Sequence, residues 1–121
     1  MINVGINQAS AVLRAPYGTF QTMPEAKEVM ESAMRETVAL SRSMGTGLRD
    51  SDVPAWYETL MKLSADGKTS MLQDVEARRK TEVDAFAGTV ISLAEARGLA
   101  VPVNRTLFNL IRAMERGYGC S

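Results

Sequence analysis

The sequence predicts an all-α domain, a bundle of five to six helices joined by short connections. Three observations carry that expectation. Apolar residues recur at i, i+3, i+4 and i+7 in one segment after another. Gly, Pro and short polar clusters punctuate the chain between those segments. Nothing in the pattern argues for a parallel sheet, whose buried strands read as continuous apolar runs.

The opening segment, INVGINQASAVLRA, is ambiguous. Ile2, Val4 and Ile6 alternate as in a strand, while Ile6, Ala9 and Leu13 fit a helix equally well. Pro16 and Gly18 in APYGT end it. The next segment, TMPEAKEVMESAMRETVALSRSMG, is the clearest helix. Thr22 and Glu25 have capping-box spacing, and Pro24 sits in the first turn. Ala26, Val29, Met30, Ala33, Met34, Thr37 and Val38 form its apolar stripe, with Gly45 as the expected C-terminal cap.

In SDVPAWYETLMKLS, Asp52 is the expected cap, and Val53, Trp56, Tyr57, Leu60 and Met61 make the buried face. ADGKT is a turn. Ser70 and Gln73 have capping-box spacing before a short helix. That helix ends in Arg78, Arg79 and Lys80, whose charges suit the negative end of its dipole. Thr81 and Asp84 open the next helix. Its inner face is Val83, Phe86, Ala87, Val90, Ile91 and Ala94, and Gly98 closes it. After the connector LAVPV, Asn104 is the expected cap of the last helix. Leu107, Leu110 or Ile111, Met114 and Tyr118 then face inward.

Composition narrows the function. The 121 residues suit one domain, residues 1–121. Fourteen basic residues balance fourteen acidic ones, so no footprint for nucleic acid and no polybasic membrane segment is expected. The longest apolar runs fall far short of the ~18 residues of a membrane span. MINVGINQAS lacks the layout of a signal peptide. Cys120, the one cysteine, has no intrachain disulfide partner, so the reducing cytoplasm is the expected compartment. With no histidine, the commonest zinc ligand and general base are missing, and no metal site is expected.

Two polar patches remain. Asn3 and Asn7 share a helix face one turn apart, with Ser10 nearby. Two carboxamides and a hydroxyl suit a small polar ligand such as a hydroxy or keto acid; a solvated helix face is the plainer account of the same spacing. Ser70 reads as an N-cap, a position that also holds carboxylates. Glu82 reads as an acid matched to a helix start. GTGLRD follows a helix and lacks a third glycine, so it is not a dinucleotide fingerprint.

The run SMLQD, then TEVD, a glycine, and the later G-x-x-x-P-x-N resembles the C-terminal helical domain of ketopantoate reductase (2-dehydropantoate 2-reductase). INVGIN followed by AP-x-G resembles that domain's first helix, and the likeness covers nearly the whole chain. The resemblance implies an all-α fold of the 6-phosphogluconate dehydrogenase C-terminal-like kind. It implies that Asn3, Asn7 and Ser70 contact a 2-oxoacid substrate and that Glu82 contacts NADP(H). The partner implied is an N-terminal Rossmann domain, in the same or a separate chain. The family's general-acid lysine lies one turn before Asn3, ahead of Met1, so no catalytic residue is expected within this chain. The chain alone is then expected to be inactive, as the substrate-side piece of an oxidoreductase of pantothenate biosynthesis. Tyr17 departs from the family pattern, which has a substrate-contacting asparagine there. The alternative is a free-standing helical interaction domain derived from the family, used for self-association such as a homodimer.

Overall fold

The computed structural model describes residues 4–45, 49 and 51–118. Among them the chain forms seven α-helices: α1 (Val4–Leu13), α2 (Tyr17–Thr22), α3 (Pro24–Ser43), α4 (Asp52–Lys62), α5 (Ser70–Glu76), α6 (Thr89–Ala96) and α7 (Pro102–Tyr118). A π-helical stretch, Asp84–Gly88, runs directly into α6. No described residue lies in a strand. The all-α expectation holds, with more elements than five or six. The surplus comes from α2, which begins where APYGT was expected only to terminate.

Helix α1 is the axis of the fold. Val4, Gly5, Ile6, Gln8, Ala9, Ser10 and Ala11 are all buried. A helix buried on nearly every side carries apolar residues at strand spacing and helix spacing alike, which explains its ambiguity in the sequence. Two half-cores meet along it. Ile6 and Ala9 pack with Phe20, Met30, Met34, Val38, Val53 and Leu60 from α2, α3 and α4. Val4 and Ala11 pack with Leu40, Met71, Val75, Val90 and Ile111 from α3, α5, α6 and α7.

Several helix ends differ from expectation by one residue or by the origin of their cap. At α3 no capping box forms: Met23 precedes the helix, Pro24 is its first residue, and the Thr22 hydroxyl donates back to the Gly18 carbonyl. Asp52 is the first residue of α4, where its carboxylate accepts from the Arg49 amide. Thr69, not Ser70, caps α5 by accepting from the Leu72 amide. Asn104 is the third residue of α7 and lies fully buried. Glu36 of α3 caps that helix instead, accepting from the Val103 and Asn104 amides at 2.9 Å each. Gly45 and Gly98 close α3 and α6 with φ of +71° and +68°, as expected of C-terminal glycines.

Three residues expected to face inward are exposed, Val29, Met61 and Phe86, and of the alternatives Leu110 and Ile111 it is Ile111 that is buried. At Phe86 the cause is local. The wider i→i+5 turn of the π-helix sets Ala87, not Phe86, above Val83. Met114 and Tyr118 are half-buried, and Leu107 and Ile111 supply the inner face of α7.

Candidate functional site

The two polar patches are tied together by hydroxyls. Ser10 donates to the Asn7 carbonyl at 3.0 Å, and its oxygen lies 2.6 Å from the Thr69 hydroxyl. Ser10 and Thr69 are both buried. The residue after Thr69 is Ser70, at the first position of α5 and exposed. One turn before Ser10 stands Asn7, half-buried. The start of α5 is therefore fixed to the Asn7 turn of α1.

Ser70 and Glu82 line one small cavity of about 120 Å³, together with Met71, Asp74 and Phe86. Glu82 is exposed and precedes the π-helical stretch. The backbone before it is anchored from α7: Glu115 accepts from the Thr81 amide at 2.6 Å and from the Thr81 hydroxyl at 2.7 Å. Thr81 in turn accepts from the Val83 amide. Arg112 of α7 grips both carboxylate oxygens of Asp84, the first π-helical residue. Single π-helical turns inside α-helices occur frequently at functional sites. Asp74 pairs with Arg79 at 3.1 Å, and Glu76 pairs with Lys68. Both are surface pairs.

Of the expected site residues, Ser70 and Glu82 thus share one cavity. Asn7 stands on the neighbouring helix, while Asn3 lies outside the described residues, as does Cys120. Tyr17 opens α2 and its ring rests against Gly67, whose backbone it follows closely: the Tyr17 amide donates to the Gly67 carbonyl at 2.9 Å. A side chain on Gly67 would lie 2.9 Å from that ring. Sequence reasoning missed Thr69, Asp74 and Phe86. Thr69 had a signal, since two consecutive hydroxyl residues, Thr69 and Ser70, stand at the start of α5, but local spacing does not say which one caps.

Two further polar sets are structural in geometry. Gln8 donates to Asn104 at 3.0 Å, and Asn104 donates to the Ala33 carbonyl and to Glu36, binding α1, α3 and α7 together. At the α3–α4 seam, Tyr57 donates to Glu31 at 2.9 Å and Arg35 donates to the same carboxylate at 2.8 Å. Arg35 first, then Tyr57, holds Glu31 below its ordinary carboxyl range. Burial, helped by the Glu31 carboxylate, pushes the Tyr57 phenol up to about 12. Among the described residues no cluster of Cys, Asp and Glu could hold a metal ion, and no helix is long and apolar enough to cross a membrane.

Residues 1–115 match the family described as ketopantoate reductase PanE/ApbA C terminal. The 2-dehydropantoate 2-reductase of Pyrobaculum aerophilum is 36% identical over 116 residues, which cover 94% of this chain and 40% of that protein. The Halobacterium salinarum 2-dehydropantoate 2-reductase is 33% identical, over 96% of this chain and 38% of that protein. In three dimensions, the PanE/ApbA family ketopantoate reductase of Ralstonia eutropha JMP134 superposes with a TM-score of 0.85 at 29% identity, covering 98% of this chain and 39% of that one. The chain spans about two-fifths of the length of the curated relatives it matches. A D-mandelate dehydrogenase solved with NADH and anilino(oxo)acetate shares the fold, with a TM-score of 0.87 at 21% identity over 98% of this chain and 39% of that one.

Proposed function

Since the chain belongs to the ketopantoate reductase family, as its C-terminal helical domain, we propose that it is the substrate-side half of an NADPH-dependent 2-oxoacid reductase. The reaction is reduction of ketopantoate to pantoate, a step of pantothenate biosynthesis in the cytoplasm. Asn3, Asn7 and Ser70 hold the 2-oxoacid, and Glu82 contacts the cofactor. An N-terminal Rossmann domain, in the same or a separate chain, supplies NADP(H) and the general-acid lysine. Hydride passes from the nicotinamide to the keto carbon, and the lysine ammonium protonates the developing alkoxide. These 121 residues contain no Gly-x-Gly-x-x-Gly run to cradle a pyrophosphate, so they carry no turnover by themselves.

One observation carries this reading: Ser70 and Glu82, twelve positions apart, line the same small cavity. Substrate and cofactor must meet within contact distance for hydride transfer, and a cavity shared by one residue for each meets that need. Tyr17 bears on the choice of substrate. A phenol in place of a carboxamide changes the polar contacts that discriminate one 2-oxoacid from another. The test is a pair of variants in the preparation containing the Rossmann domain. Ser70→Ala should raise KM for the 2-oxoacid about tenfold, and Glu82→Gln should raise KM for NADPH by a similar factor. Unchanged values for both would sink the assignment.

A second reading, self-association, is favoured by one feature. Leu13, Val29 and Leu110 are exposed around an apolar groove of about 420 Å³ between α1, α3 and α7. A dimer that persists on dilution and is broken by Leu110→Glu, with no binding of 2-oxoacid, would favour it.

A further inference from the structure

We propose that Ser10 and Thr69 are positioning residues whose hydroxyl bridge sets the register of α1 against α5, and with it the seat of the 2-oxoacid between Asn7 and Ser70. The inference rests on the functional reading above, which makes those two residues substrate contacts. It starts from a proton count. A carbonyl only accepts, so the single Ser10 proton goes to the Asn7 carbonyl at 3.0 Å. The Thr69 oxygen accepts from the Leu72 amide at 3.1 Å. The 2.6 Å contact between the hydroxyls must then run from Thr69 to Ser10. The result is a one-way chain: Leu72 N–H to Thr69, Thr69 to Ser10, Ser10 to the Asn7 carbonyl. It begins in the first turn of α5 and ends on the turn of α1 that bears Asn7.

The surrounding seam is apolar, with Val4 and Ala11 of α1 in one core with Met71 and Val75 of α5. Apolar contacts are non-directional and hold two helices near each other without fixing their register. A short hydrogen bond between two buried hydroxyls is directional and does fix it. Thr69 also carries the cap of α5, so one side chain sets both where that helix begins and what it abuts. The bridge lies one residue from Ser70 and one turn from Asn7, close enough for a small slip to misplace the substrate contacts.

The variants separate the bridge from the cap. Ser10→Ala removes the bridge and leaves Thr69 free to cap. Thr69→Ser keeps both, and Thr69→Val removes both. In the active two-domain preparation, Ser10→Ala should raise KM for the 2-oxoacid by about tenfold or more, since misplacement by about 1 Å is that costly. KM for NADPH should stay within about twofold, because the backbone at Thr81, just before Glu82, is anchored from α7 by Glu115. Thr69→Ser should retain wild-type values. Thr69→Val should reproduce the selective rise, and it carries the test if Ser10→Ala does not fold. An unchanged 2-oxoacid KM, or an equal rise in both KM values, would overturn the positioning role. No turnover at all by the wild-type two-domain preparation would instead overturn the functional reading, and this inference with it.

Discussion

Gly5 has no room for a side chain. A Cβ there would lie 2.9 Å from the Met30 carbonyl oxygen and 3.1 Å from Met34 Cγ, so α1 and α3 touch almost backbone to backbone. Gly5→Ala should therefore force the helices apart and cost roughly 1–3 kcal/mol, read as a lower urea midpoint with little change in slope. A midpoint equal to wild type would show that α3 yields without loss. The sequence displays the glycine but not its partner, because close approach between helices is a long-range fact. Ser70 is a similar case. Its place at a helix start was legible, yet the cap belongs to Thr69, because either hydroxyl satisfies the same local pattern. The pairing of Ser70 with Glu82 in one cavity was not legible from spacing at all. Only the likeness to a known domain suggested that both face one cleft.

Among the elements, α7 shows most clearly what local reading misses. Its first turn is capped from α3: Glu36 accepts from two backbone amides and from the Asn104 side chain. No window around residues 102–104 contains that acid. Glu36→Ala should destabilise by about 1–3 kcal/mol and speed hydrogen exchange at the Val103 and Asn104 amides; unchanged exchange would refute the cap. The seam of α3 and α4 gives a pH signature. Glu31 is held below 4.5, so its contribution is present above about that value and is lost as pH falls through its lower folded-state value. Tyr57 is raised from 10.0 to about 12, so its contribution is present below pH 10 and is lost as pH rises towards 12. Stability followed by urea unfolding should decline at both ends, and Tyr57→Phe should flatten the alkaline decline. An alkaline limb unaltered by that change would assign the loss to other groups. The helical periods themselves were plain in α3 and α7, whose polar faces contrast with apolar stripes. They were least plain in α1, whose polar residues Gln8 and Ser10 are buried along with its apolar ones between two half-cores.

For the whole molecule, the fold class followed from periodicity because stripes at helix spacing have one economical solution, a bundle. What the bundle does was not contained in periodicity. It depends on which helix starts converge, and convergence is set by packing of α1 against α5 and of α7 against the π-helical stretch. The molecule so assembled offers a small cavity lined by Ser70 and Glu82, and its sequence holds no Gly-x-Gly-x-x-Gly run of the kind that cradles a dinucleotide pyrophosphate. The most direct test is NADPH oxidation with ketopantoate by the purified chain, alone and with a Rossmann domain that carries the lysine. The account predicts no turnover by the chain alone and turnover once that domain is joined or added. Enzyme-like turnover by the chain alone, or none with the domain present, would contradict it.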